Sequence, residues 1–165
     1  DLQQMALILA KYYYAEIDNF RNYMKAKDSI RITTPPPGYK DVATFEKVMG
    51  DSIEVYRKRG IEVIHKMMKE MPEKVCPIRR DIRTEMGITL IYLGDVQEGK
   101  KVLNRAMEEC VQFAKYFSNW DDEVWAQREI GNSQYLIQQA MLFAGQQGMK
   151  DLESKYKSML QSIAQ

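Results

Sequence analysis

Residues 84–107, TEMGITLIYLGDVQEGKKVLNRAM, restrict the chain more than any other stretch. They read as two helices joined by a tight turn at Gly94-Asp95. Met86, Leu90, Ile91 and Leu93 lie on the first, and Val96, Val102, Leu103, Ala106 and Met107 on the second. Spacings of three and four residues put such a set on one buried helical face. Gly94 supplies the left-handed backbone that ends a helix, and Asp95 offers an oxygen to cap the next. Gly87 and Gly99 fall inside helices, where glycine costs ~1 kcal/mol relative to alanine. Close approach of the two backbones is the expected return.

The spacing of small and large residues at Met86, Gly87, Leu90, Gly94-Asp95, Gly99, Leu103 and Ala106 resembles the tetratricopeptide repeat, a helix–turn–helix of period 34. Residues 60–70 (GIEVIHKMMKE) align without a gap on 99–109 (GKKVLNRAMEE) at an offset of 39, with Gly, Val, Met and Glu identical. Pro72 falls where the repeat's closing proline belongs, and the longer offset fits an insertion around 75–79. The resemblance implies an all-α single domain of about seven helices, built as stacked antiparallel hairpins in a right-handed α–α superhelix. A plain antiparallel bundle obeys the same packing rules and remains the alternative. The implied divisions are 1–40 (helix and proline-rich crossover), 41–74 and 80–113 (repeat-like units), and 121–165 (a closing helical pair). Gly60, Gly87, Gly94, Gly99 and Ala106 are the expected helix crossings, with Gly60 and Gly99 equivalent.

Along the chain, Leu2, Met5, Leu9, Tyr13, Ile17, Phe20 and Met24 predict a buried face on a helix over 2–26. Residues 28–33 read as an extended, β-branched stretch, and Pro35-Pro36-Pro37-Gly38 as a stiff polyproline-like crossover. Asp41 caps a helix holding Val42, Phe45, Val48 and Met49. Gly50-Asp51 reads as a stop and a new cap, with Glu54 completing a capping box. Ile53, Tyr56, Val63, Ile64 and Met67 continue the apolar face. Pro72 and Pro77 bracket a loop before a helix over 78–93. The second hairpin helix runs to Phe117 and breaks at 118–122. Asp121 or Asp122 then caps a helix running to Ala144 through Val124, Trp125, Ile130, Tyr135, Ile137 and Met141, ended by Gly145 and Gly148. The last helix, 150–164, buries Leu152, Tyr156, Met159, Leu160 and Ile163. No strand is predicted.

Composition sets the functional bounds. A chain of 165 residues, 45% hydrophobic and 28% charged, suits an ordinary globular domain. A net charge of +1 provides no field to draw nucleic acid, and acidic residues interleave with the basic ones. No apolar run reaches the ~18 residues that span a bilayer. Because the chain opens at Asp1, it reads as a piece of a longer protein, so a membrane-anchored parent stays open. The two cysteines, Cys76 and Cys110, lack metal-ligand spacing and read as free thiols, although a disulfide stays open. The single histidine, His65, forms Glu62-x-x-His65, but a di-iron bundle needs a second such pair. Gly145-Gln-Gln-Gly148 lacks the spacing and lysine of a phosphate loop. No catalytic residues, metal or cofactor are therefore expected.

The basic groups remain. Arg80 and Arg83 share a helix face near Arg79. In a tetratricopeptide-like array, first helices line the concave groove, so Arg79, Arg80 and Arg83, with Tyr92, are the expected binding residues for a protein or peptide. The competing reading is a solvated face paired with Asp81 and Glu85. Residues 71–122 together with 135–156 also resemble the soluble C-terminal region of bacterial multi-spanning membrane proteins of uncharacterised function, distantly similar to protein O-mannosyltransferases. Helix–MP–loop–P–helix, the Gly-Asp hairpin and the aromatic-rich second helix carry this resemblance. It implies an extracytoplasmic (periplasmic) accessory domain of a glycosyltransferase-like membrane protein, contacting acceptor protein or glycan. Without it, a cytoplasmic non-catalytic interaction scaffold is the expectation.

Overall fold

The structure, a computed structural model, describes residues 2–27, 33–72 and 76–164, and every regular element among them is an α-helix. The six are α1 (Leu2–Lys27), α2 (Val42–Glu70), α3 (Pro77–Leu93), α4 (Val96–Phe117), α5 (Glu123–Gln146) and α6 (Lys150–Ile163). Most of the segment expected to be extended, and residue 75 of the expected insertion, lie outside the described residues.

The count falls one short of the expected seven because α2 is unbroken. Asp41 caps it as expected, accepting from the Thr44 N–H at 2.7 Å. Gly50-Asp51 does not stop it. An exposed glycine in a helix costs about 1 kcal/mol, whereas a break leaves four backbone groups unsatisfied at each new end. Glu54 forms no capping box and instead makes a two-pronged pair with Arg57, at 2.6 and 2.9 Å. Residues 42–70 are therefore one helix rather than a helix–turn–helix. Nor does the proline stretch simply run on: the Tyr39 N–H donates to the Pro36 carbonyl at 3.3 Å, closing a turn with Pro37 and Gly38 at its centre.

The chain forms two compact units, Asp1–Met71 with Tyr92–Gly94, and Pro72–Ile91 with Asp95–Gln165. In the first, α1 and α2 run antiparallel, joined by aromatic contacts: Tyr13 stacks on Tyr56 (5.8 Å), and Phe20 and Tyr23 meet Phe45 edge-on (6.2 and 5.1 Å). Such pairs contribute ~0.5–1.5 kcal/mol each beyond their buried area. The N-terminal half of α1 buries Ala6, Leu7 and Ala10, while Leu2, Met5 and Leu9 face outward, contrary to expectation. This stretch is apolar all round, so spacing alone does not choose the face, and the small alanines admit the closer contact.

In the second unit α3 and α4 form the hairpin. A Cβ on Gly87 would lie 2.8 Å from the Leu103 nitrogen, and one on Gly99 would lie 2.8 Å from the Gly87 carbonyl oxygen. The backbones themselves touch there, and Ala106 is buried below. For Gly60, in the other unit, the nearest atoms all belong to the Leu93 side chain, from 2.8 Å. Gly99 is crowded by backbone of the facing helix as well as by the Ile91 side chain, so the surroundings of Gly60 and Gly99 differ.

Two turns share one construction. Gly94 (φ +98°) and Gly148 (φ +69°) take the left-handed conformation, and the next residue's N–H reaches back to the carbonyl five positions earlier, Asp95 to Leu90 at 2.9 Å and Met149 to Ala144 at 2.8 Å. These are Schellman closures that satisfy trailing carbonyls. With the chain already turned, Asp95 makes no side-chain cap bond at the start of α4. Likewise α5 continues through Gly145, and Gly148 alone ends it.

Candidate functional site

The expected binding arginines turn out to be interior. Three-residue spacing does put Arg80 and Arg83 on one face of α3, but that face packs against α4 and α5, leaving them 1% and 5% exposed. Arg83 Nη1 donates to Glu109 Oε1 at 2.7 Å and Nη2 to the Pro72 carbonyl at 3.2 Å. Arg80 donates from Nε to Asp81 Oδ1 at 2.9 Å and from Nη1 to the Ser133 hydroxyl at 3.2 Å. Its guanidinium also lies 5.3 Å from the centre of the Phe113 ring. Neither reading of these two side chains as solvent-facing is correct. Arg79 is half-buried on the same helix. Tyr92 belongs to the first unit, where it stacks on Tyr14 at 4.7 Å.

The carboxylates that receive the arginines were visible as intruders. Glu109 interrupts the buried stripe Val102, Leu103, Ala106, Met107, Cys110 of α4. Glu129 and Ser133 interrupt Ala126, Ile137, Ala140, Ala144 of α5. An acid in an apolar stripe requires a buried partner, and two arginines three apart on a neighbouring helix supply one. Of the apolar residues named along α5, Ile137 is buried and Ile130 and Met141 are half-buried, whereas Val124, Trp125 and Tyr135 point outward and small or polar side chains share the interior.

The pairing is incomplete. Arg80 Nη2 stands 2.8 Å from Asp81 but 3.9 Å from Glu129 Oε2, and that oxygen is enclosed without a hydrogen-bond donor among the described residues. One guanidinium thus faces two carboxylates. Burial also pushes the Cys110 thiol up to about 12 and the Tyr156 hydroxyl above its usual range. Both cysteines are free thiols.

Beside Glu129 the end of α4 and the start of α5 enclose an open cavity of about 400 Å³, lined by Pro77, Phe117, Trp120, Asp122, Trp125 and Glu129. The turn that shapes it is tightly held. The Ser118 hydroxyl and Asn119 amide donate to the Lys115 carbonyl (2.7 and 3.1 Å), and the Trp120 N–H donates to the Phe117 carbonyl (3.1 Å). Asp122 caps α5 by accepting from the Trp125 N–H at 3.1 Å. Trp120 rests against Phe117 at 4.8 Å and Tyr116 at 5.7 Å. The two indoles stay 43% and 50% exposed at the rim. The sequence reading placed Trp125 on a helix without a binding role and gave Trp120 no role, because each lies beside a helix boundary rather than within a periodic run.

Among the described residues no helix is long and apolar enough to cross a membrane, and no three His, Cys, Asp or Glu residues gather where a metal ion would sit. Comparisons with protein-family models, curated proteins and solved structures gave no match.

Proposed function

We propose that this chain is a non-catalytic interaction module that holds a segment of another protein in the cavity between α4 and α5. One observation carries the reading: two half-exposed tryptophans are held by a hydrogen-bonded turn at the mouth of an open, aromatic-walled cavity. Exposed aromatics on a rigid frame are the side chains that contribute most to protein–protein contacts, because burying them gains large area at small entropic cost. The most strongly charged interior groups are already engaged, Arg83 with Glu109 and Arg80 with Asp81 and Ser133. The tetratricopeptide-like pattern of residues 80–113 agrees with a scaffold, although that pattern favours a groove on α3 over the α4–α5 cavity.

A displayed random-peptide library panned against the whole chain tests the reading. Enriched peptides are expected to bind with micromolar Kd and to lose at least tenfold on Trp120→Ala or Trp125→Ala, with the thermal midpoint unchanged. Failure to enrich any sequence, or enrichment indifferent to both tryptophans, overturns it.

A further inference from the structure

We infer that the α4–α5 cavity recognises an organic cation bearing N–H groups, the guanidinium or ammonium of a partner's arginine or lysine side chain. The assignment builds on the interaction-module reading above. Among the described residues the wall has two kinds only: apolar Pro77, Phe117, Trp120 and Trp125, and the acidic residues Asp122 and Glu129. No basic or neutral polar side chain among them lines it. An anion is repelled by this set. A purely apolar group would strip water from Asp122 and return nothing to it, and would bring no positive charge to the nearly enclosed Glu129.

Charge around the cavity is out of balance in the sense a cation corrects. Arg80 is the cation facing Glu129, yet its hydrogen bonds go to Asp81 and Ser133, and it comes no nearer to Glu129 than 3.9 Å. Asp122 sits at the N-terminus of α5, where the helix dipole holds its charge in place without cancelling it. Trp125 already takes a cation on its ring: the Arg128 guanidinium lies 5.3 Å from the indole centre. Indole faces attract cations, and a planar guanidinium adds stacking and a fork of N–H donors matched to carboxylates. A quaternary ammonium would satisfy the rings and leave the carboxylates without donors.

The chain has two tryptophans, and both line this cavity, so intrinsic indole fluorescence reports on the site alone. Titration with N-acetyl-arginine amide is expected to give a saturating change. N-acetyl-citrulline amide, its uncharged counterpart, is expected to bind at least tenfold more weakly, and tetramethylammonium more weakly than arginine amide. Agmatine tested beside an arginine-containing peptide tells a free amine from a side chain, and stronger peptide binding supports the assignment. Asp122→Asn keeps the helix cap and should weaken arginine amide several-fold with circular dichroism unchanged. Glu129→Gln should do the same, and Asp122→Asn keeps the test open if Glu129→Gln fails to fold. Equal binding of arginine and citrulline amides, or no response to either, overturns the cation assignment. Library peptides captured without regard to arginine-to-citrulline exchange overturn it too, while leaving the interaction module intact. Arginine amide bound by a chain that captures no peptide supports the cation site and removes the module.

Discussion

Arg83 Nη1 and Glu109 Oε1 meet at 2.7 Å with both side chains almost wholly enclosed, tying the start of α3 to the middle of α4. Removing one partner of such a pair leaves a buried charge and costs ~3–5 kcal/mol, while replacing both with apolar side chains is often neutral. The two single variants should not be equal. Arg105 Nε also lies 3.3 Å from Glu109 Oε1 and would remain after Arg83→Met. After Glu109→Leu, Arg83 would keep only the Pro72 carbonyl among its hydrogen bonds. We expect urea unfolding to rank Glu109→Leu as the more destabilised, with the Arg83→Met/Glu109→Leu double variant recovering most of the loss. Additive single effects would show that the pair has no coupling.

The helix crossing makes an opposite prediction for like substitutions. Alanine gains about 1 kcal/mol over glycine from helix propensity, but on Gly99 its Cβ would sit 2.6 Å from Ile91 Cγ1 and 2.9 Å from the Ile91 nitrogen. On Gly87 it would meet the Leu103 backbone at 2.8 Å. Backbone does not yield as a side chain does, and overpacking costs ~1–3 kcal/mol. Gly87→Ala and Gly99→Ala should therefore lower the thermal midpoint. At Gly131, exposed within α5, an added Cβ would find nothing within 4 Å, so Gly131→Ala should raise it. A rise at Gly87 or Gly99 would show that the helices slide apart freely.

How much was legible follows from the range of each signal. Three-to-four spacing is local, so the all-helical character and the turns at Gly94 and Gly148 were readable from their own neighbourhoods. Gly50 misled because a glycine in a helix is a modest local cost, and the gain from one long α2 is not written in any short window. Choosing the buried face of α1 needed knowledge of what Ala6 and Ala10 pack against. The arginines were found, and the pairing of Arg80 with neighbouring Asp81 was legible, but their burial was not, since the interior acceptors lie 26 residues away at Glu109 and 53 away at Ser133. The cavity was missed outright, because Trp120, Trp125 and Glu129 converge only once the turn between α4 and α5 is closed.

The two Schellman turns separate backbone strain from crowding. At Gly148 nothing lies within 4 Å of a Cβ, so Gly148→Ala measures the left-handed conformation alone, ~1–2 kcal/mol. Gly148→Asn should recover much of this, asparagine tolerating that region. At Gly94 the φ of +98° lies further out, and a Cβ would stand 2.9 Å from Arg57 Nη1, the movable end of a long side chain. Gly94→Ala should thus cost more than Gly148→Ala, chiefly through backbone strain, and Arg57→Ala should rescue little of it. Full rescue would assign the cost to crowding. Thermal midpoints of the four variants decide.

Buried acids set the alkaline limit of the fold. Burial raises the Cys110 thiol from 9.0 to about 12, with nearby Arg80 opposing the rise and Asp81 and Glu109 adding to it. Burial also raises Tyr156, whose hydroxyl donates to Asn104 Oδ1 at 2.9 Å, with Glu108 reinforcing the shift. In both, the unfolded chain ionises at lower pH than the folded one. Their contribution to stability is therefore intact below the unfolded value and is lost as pH climbs toward the folded value. For Cys110 that window runs from about 9 to about 12, at roughly 1.4 kcal/mol for each pH unit once within it. Urea unfolding between pH 7.5 and 11 should show Cys110→Ala losing stability less steeply than the parent chain, and Cys110→Ala/Tyr156→Phe less steeply still. Tyr156→Phe begins lower at neutral pH by ~1 kcal/mol for the lost hydrogen bond, so the slopes, not the starting values, carry the comparison. Parallel slopes across all three chains would mean that the thiol is reached by water in the native state.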